Sequence, residues 1–200
     1  MGLDSAYQKA VEEMKECSPY VVAAKSGADF ADGSFRLAFF NRSFAIHHPE
    51  VRTEEVGVAK PVPQWLQLIL FHYLLTADGT PVADEWITYR QLPGAFLFEQ
   101  RFGVQAMQRL VRAFGDDIEA FNRAGLALAG VPMSRTGDAA FRFMVLPHLP
   151  MGCLLYMGDE EVAGSASILF DRAAPHYLAT EDLSIIGHYL IGTLVSLKGS

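Results

Sequence analysis

The residues able to do chemistry here are carboxylates, histidines and thiols. Asp159, Glu160 and Glu161 adjoin at the end of an apolar run, and Asp171, Glu181 and Asp182 follow in the next segments. Oxygen-rich clusters of this kind suit divalent cations or general acid–base work. The same acids also have a plain structural reading. Consecutive acids solvate a turn, and Glu181 and Asp182 in the first turn of a helix meet its N-terminal dipole. With no histidine pair of ligand spacing beside them, no metal is assigned. His176, between Asp171 and the Thr180 helix start, is the histidine best placed to line a pocket. Trp86, Tyr89 and Arg90, next to Asp84 and Glu85, mix aromatic faces with charge, as a ligand wall or as a loop pinned over the core. The expected pocket is therefore Asp159, Glu160, Asp171, His176 and Glu181, with Trp86, Tyr89 and Arg90 as its wall.

The other histidines and the thiols give less. None of the six histidines pairs at the spacing of a zinc-protease helix. His47 and His48 adjoin on an extended segment, so alternation sends them to opposite faces and at most one serves a given pocket. His72 sits in a nearly all-apolar helix and reads as a satisfied core histidine. Cys17 and Cys153 share no CxxC spacing, which leaves a disulfide framework, a four-cysteine zinc site and a self-contained iron-sulfur cluster without ligands. Cys153 with His148 or His176 is the one thiol–base pairing the sequence offers, but Cys153 lies in an apolar strand where it serves as a small hydrophobe. Glycine-rich phosphate motifs are absent from the sequence, so no catalytic residue and no cofactor is assigned.

Composition narrows the partners. The chain has 200 residues, 50% hydrophobic and 12% aromatic, with a formal net charge of −7. That excludes disorder, and the scattered lysines and arginines argue against nucleic acid. Arg36, Arg42 and Arg52 lie close enough to receive an anion. Asp29, Asp32, Glu50, Glu54 and Glu55 flank them, so the plain reading is a solvated sheet edge. The N-terminal stretch lacks an apolar signal region, and the run from Trp65 to Leu75 is too short to span a bilayer. A cytoplasmic protein is expected, with a small molecule or a partner enzyme as its partner and neither nucleic acid nor membrane.

The elements follow from periodicity. Leu3, Ala6, Tyr7, Ala10, Val11, Met14 and Cys17 form the apolar face of a first helix that ends near Pro19. Strands are expected over Tyr20–Ala24, Phe35–Phe40 and Phe44–His48, with a hairpin at Asn41-Arg42. Gln64–Leu75 predicts a buried helix at the centre of the core. A helix over Glu99–Phe114 turns Phe102, Met107, Leu110, Val111 and Phe114 inward, and Asp116 or Asp117 caps another. Strands over Ala140–Leu146 and Met151–Met157 flank a bend bracketed by Pro147 and Pro150. A short run ends at Asp171, and Thr180 caps a last helix. Grouped helices and strands predict an α+β class, a single compact domain with a mostly antiparallel sheet packed by about five helices.

Trp65–Leu75, DEWITYRQLPGA, FRFMVLPHLP, YMGDEE, ILFDRAAPHYL and TEDL resemble an uncharacterised bacterial family defined as a domain of unknown function, over most of the chain. The resemblance implies a setting chiefly in anaerobes, with some members fused to iron-sulfur domains like those beside corrinoid proteins. This chain departs from the fused members in lacking their cysteine-rich segment, and no catalytic residue carries over. By that context the expected role is an accessory protein binding a small molecule or a corrinoid- or tetrapyrrole-type cofactor in anaerobic metabolism. The alternatives are a protein-interaction module, or a hydrolase or transferase using Asp159, Glu160, Asp171 and His176 as an acidic-histidine cleft.

Overall fold

The computed structural model describes residues 2–97, 99–134, 136–158 and 161–199, with backbone alone at 97 and 99–105. The amphipathic N-terminal segment forms α1 (Leu3–Glu16), which buries Ala10 and Met14. Pro19 then opens a second helix, α2 (Pro19–Ser26), where the sequence predicted a strand over Tyr20–Ala24. Proline at the first helical position gives up an amide that has no partner there anyway. At the other end Gly27, at φ 69, donates its N–H to the Ala23 carbonyl at 3.0 Å and closes the helix. These two ends outweigh the strand preference of Val21 and Val22.

The expected antiparallel strands are present, but they divide into two sheets. Strands β1 (Asp29–Ala31), β2 (Ser34–Phe39), β3 (Arg42–His47) and β4 (Arg52–Glu55) pair in chain order. Strands β5 (Trp86–Thr88), β6 (Val131–Pro132), β7 (Ala139–Leu146), β8 (Leu149–Tyr156) and β9 (Ser165–Asp171) form the other sheet, in the order β5-β9-β8-β7-β6. Every pairing is antiparallel. The hairpin expected at Asn41-Arg42 closes one residue earlier, with Phe40 and Asn41 as its loop and Arg42 already paired with Phe39. Phe40 takes φ 54, a conformation that favours glycine. Its ring packs on Phe39 and Tyr189, and its N–H donates to the Val145 carbonyl at 2.9 Å, which ties the two sheets together. Pro150 lies inside β8 rather than in a bend, and it falls where the β7–β8 register shifts between Met144 and Leu146. A bulge is where a strand tolerates a residue without an N–H.

Helix α3 (Gln64–Thr76) is the predicted central helix and buries Leu66, Leu68, Ile69, Leu70, Phe71, Tyr73 and Leu74. Its Tyr73 hydroxyl donates to Ser26 O at 2.7 Å and accepts from His148 N at 3.0 Å, joining α2 to the β7–β8 turn. Helices α4 (Glu99–Phe114) and α6 (Thr180–Ser196) pack on each other, with α4 over β9. Leu110 and Phe114 of α4 are buried, whereas the side chain of Phe102 lies outside the described residues. Helix α5 (Ile118–Ala127) is capped by Asp117, whose carboxylate accepts from Ala120 N at 2.9 Å. Thr180 opens α6 without capping it. Ala179 holds the cap position, and the threonine hydroxyl donates instead to Pro93 O at 2.6 Å. The class is α+β with six α-helices among the described residues, the helix beyond the expected five being α2. Among those residues no helix is long and apolar enough to cross a membrane.

Candidate functional site

Of the expected pocket residues, Trp86, Tyr89, Arg90, Asp171, His176 and Glu181 are described, and they meet different partners. Asp171, at the end of β9, is 1% exposed. Its Oδ1 accepts from Ala83 N and Ala173 N, both at 2.9 Å, while Oδ2 is buried with no hydrogen-bond partner among the described residues. His176 closes a short 3-10 turn and places Nδ1 2.7 Å from Asp78 Oδ2 and 3.2 Å from Thr80 Oγ1. Hydrogen bonds from Thr80 and then His176 hold the Asp78 carboxyl well below the usual range. Trp86 is the cross-strand partner of Asp171. The Tyr89 ring lies 6.1 Å from that of Phe170. Tyr89 and Arg90 line one small groove of about 230 Å³, and Glu181 lines another of about 440 Å³ with Pro93, Gly94, Pro175 and Leu178. Asp159 and Glu160 lie outside the described residues. Among those described, no three His, Cys, Asp or Glu side chains gather as a metal site.

A more polar site lies on the outer face of the four-stranded sheet. Strand alternation turns Phe35, Leu37, Phe44 and Ile46 inward, and leaves Ser34, Arg36, Ala45, His47 and Glu54 on the opposite face. After β4, Gly57 takes φ 79 and turns the chain back, so that Val56–Ala59 walls a cavity of about 460 Å³ over these side chains. The expected splitting of the adjacent histidines is seen. The His48 ring packs edge-on against Phe30 and Phe35, and His47 faces the groove.

Within the groove, Ser34 and His47 are cross-strand partners, with Ser34 Oγ 2.9 Å from His47 Nδ1. On the other side of the ring, His47 Nε2 lies 3.2 Å from Glu54 Oε1, within ion-pair distance but out of line for a well-formed hydrogen bond. Contact with His47, and then with Arg52 at 2.6 Å, lowers the Glu54 carboxyl from its ordinary value. The loop that delivers β4 is held tightly: Val51, a β-branched residue at φ 59, is 5% exposed and donates its N–H to His47 O at 2.6 Å.

The three arginines that sequence proximity grouped have separate fates. Arg42 forks onto Glu55, with Nε 2.8 Å from Oε1 and Nη2 2.6 Å from Oε2, and also donates to the Tyr189 hydroxyl at 3.0 Å. That fork lowers the Glu55 carboxyl from its ordinary value. Arg52 is held by Glu54. Arg36 lines the groove with no ion pair among the described residues; Asp29 stands opposite it on β1 without closing a salt bridge. Among the described residues the groove thus offers one cation outside any ion pair, with a hydroxyl, an imidazole and a carboxylate on the same sheet face.

Sequence reasoning passed over Ser34 and Glu54, although a signal existed. Counting outward from a two-residue loop at Phe40-Asn41 pairs Ser34 with His47 and puts both on the face of Arg36. Without the loop fixed to the residue, the register stays open.

Fold and groove together define an α+β domain of two antiparallel sheets with a polar cleft on the smaller one. The chain belongs to the family described as Domain of unknown function (DUF3786), whose model matches residues 18–193. No curated protein matches it. No solved structure matches it either.

Proposed function

We propose that this protein binds a small organic anion in the groove over the four-stranded sheet. The observation that carries the reading is Arg36, a guanidinium with no carboxylate partner among the described residues, facing a cavity of about 460 Å³ beside Ser34 and His47. A planar guanidinium is suited to carboxylate or phosphate through paired hydrogen bonds, and the hydroxyl and imidazole supply donors for the rest of the ligand. The volume falls in the range of small-molecule sites. This reading retains the small-molecule role anticipated from sequence. A flat apolar tetrapyrrole draws no support from a lining so rich in charge. A second groove, with Glu181 at the edge of apolar Pro93, Pro175 and Leu178, favours the originally expected region as a site for a less polar ligand.

Calorimetric titration with succinate and with inorganic phosphate tests the reading. Binding that weakens by about tenfold or more in Arg36→Gln supports it, because a charge-assisted hydrogen bond is worth about 1.5–3 kcal/mol. Absence of binding by either anion, or binding indifferent to Arg36→Gln, overturns it.

A further inference from the structure

We propose that Ser34, His47 and Glu54 form a nucleophile–base–acid array that transfers acyl groups from small esters or thioesters bearing a carboxylate. The inference rests on the groove being an anion site, since Arg36 is what holds the substrate carboxylate. Ser34 is 8% exposed, and it lines the cavity. Its hydroxyl is 2.9 Å from His47 Nδ1, within the reach that proton abstraction requires. With Nδ1 accepting from Ser34, the ring proton sits on Nε2, 3.2 Å from the Glu54 carboxylate. Glu54 is a positioning residue: it fixes the tautomer and stabilises the imidazolium that forms. Its lowered proton affinity keeps it ionised for that task.

The remaining groups fit this chemistry. Arg36 follows Ser34 by two residues on the same strand face, which sets the two Cα atoms about 7 Å apart. A short dicarboxylic half-ester spans that interval with its free carboxylate on Arg36 and its ester carbonyl at Ser34. In the first step Ser34 Oγ bonds to the carbonyl carbon as its proton passes to His47 Nδ1. Collapse of the tetrahedral species breaks the bond to the leaving alcohol or thiol, which takes that proton. Water then attacks the acyl-serine, gives a proton to His47, and the serine oxygen leaves and recovers it. The net change is ester plus water to acid plus alcohol.

The test uses the full chain with a fluorophosphonate probe, read by intact and peptide mass spectrometry, and with mono-4-nitrophenyl succinate against 4-nitrophenyl acetate. A single adduct on Ser34, lost in Ser34→Ala and slowed at least tenfold in His47→Gln, is the expected result. Glu54→Gln slows labelling without moving the thermal midpoint, and Glu54→Asp restores part of the rate. Arg36→Gln removes the preference for the succinyl ester over the acetate ester. No adduct on folded protein, an adduct elsewhere, or labelling indifferent to His47→Gln overturns the inference. Succinate binding that depends on Arg36 without any Ser34 adduct leaves the binding reading standing and this one refuted. A Ser34 adduct without anion binding overturns the binding reading and, with it, the carboxylate-bearing substrate class assigned here.

Discussion

His72 Nδ1 lies 2.8 Å from Asp182 Oδ2, a contact that joins the central helix α3 to α6 across the core. The bond to Asp182 raises the histidine above its ordinary value, and partial burial opposes that rise. The sign of the pH effect follows. A histidine whose folded value is raised contributes stability that is fully present below its unfolded value of about 6.5, and loses it as pH rises through the folded value. Urea midpoints of wild type and His72→Gln are therefore expected to differ most at about pH 5.5 and to converge as pH rises through the folded value. The side chain is 33% exposed, so the difference is of order 1 kcal/mol. A gap that widens with rising pH would show that Asp182 does not hold the imidazolium.

Gly125 in α5 is set by a close approach rather than by backbone freedom. A Cβ there would stand 2.6 Å from Phe141 Cε2, and the Phe141 ring is held between Phe121 and Phe143, at centroid distances of 5.6 and 6.1 Å. Alanine at a helical glycine ordinarily gains about 1 kcal/mol. Overpacking a ring that cannot yield costs about 1–3 kcal/mol, so the clash is expected to win. Gly125→Ala should lose about 1 kcal/mol or more in denaturant unfolding, and much of that loss should disappear in a Phe141→Leu background, where the new methyl has room.

Periodicity was enough for what packing decides locally. The apolar circumference of Gln64–Leu75 marked the central helix, Asp117 marked the start of α5, and the alternation over Ala140–Leu146 marked a strand. Tyr20–Ala24 reads as a strand when Pro19 is taken only as the end of the first helix and Gly27 only as a turn; the same two residues open and close α2. The groove was hidden for another reason. Ser34, His47 and Glu54 become neighbours only through the pairings of β2 with β3 and β3 with β4, and a one-residue slip in either would turn them to the other face. Chemistry built across strands leaves no spacing motif in the chain.

Asp171 separates a structural carboxylate from a ligand-binding one. Its Oδ1 holds the amides of Ala83 and Ala173, and Ala173 is buried. Asp171→Ala leaves these donors without an acceptor and is expected to cost about 1–3 kcal/mol. Asn keeps the acceptor and places an uncharged amide where Oδ2 now has no partner, so Asp171→Asn should retain most of the stability. Thermal unfolding of the pair checks this. An alanine variant as stable as wild type would transfer Asp171 back to the ligand-binding residues anticipated from sequence.

The two thiols give an independent measure of how tightly the second sheet is closed. Cys153 is 0% exposed in β8, between Phe141 on β7 and Ile168 on β9, and burial pushes its thiol far above the ordinary value. Cys17 lies at the part-buried end of α1 with Sγ 3.2 Å from Met14 O, and burial raises its thiol as well. Alkylation needs the thiolate and access, so both should react slowly, but only Cys17 can react from the folded state. Iodoacetamide at pH 8 is expected to modify Cys17 alone over hours and Cys153 only in concentrated guanidinium, counted by peptide mass spectrometry. Because β8 has neighbours on both edges, exposing Cys153 requires the sheet to open, and its modification rate then tracks global unfolding. Equal rates for the two thiols would mean that the sheet opens without unfolding. That outcome would return Cys153 to consideration as a nucleophile, a role its burial otherwise denies it.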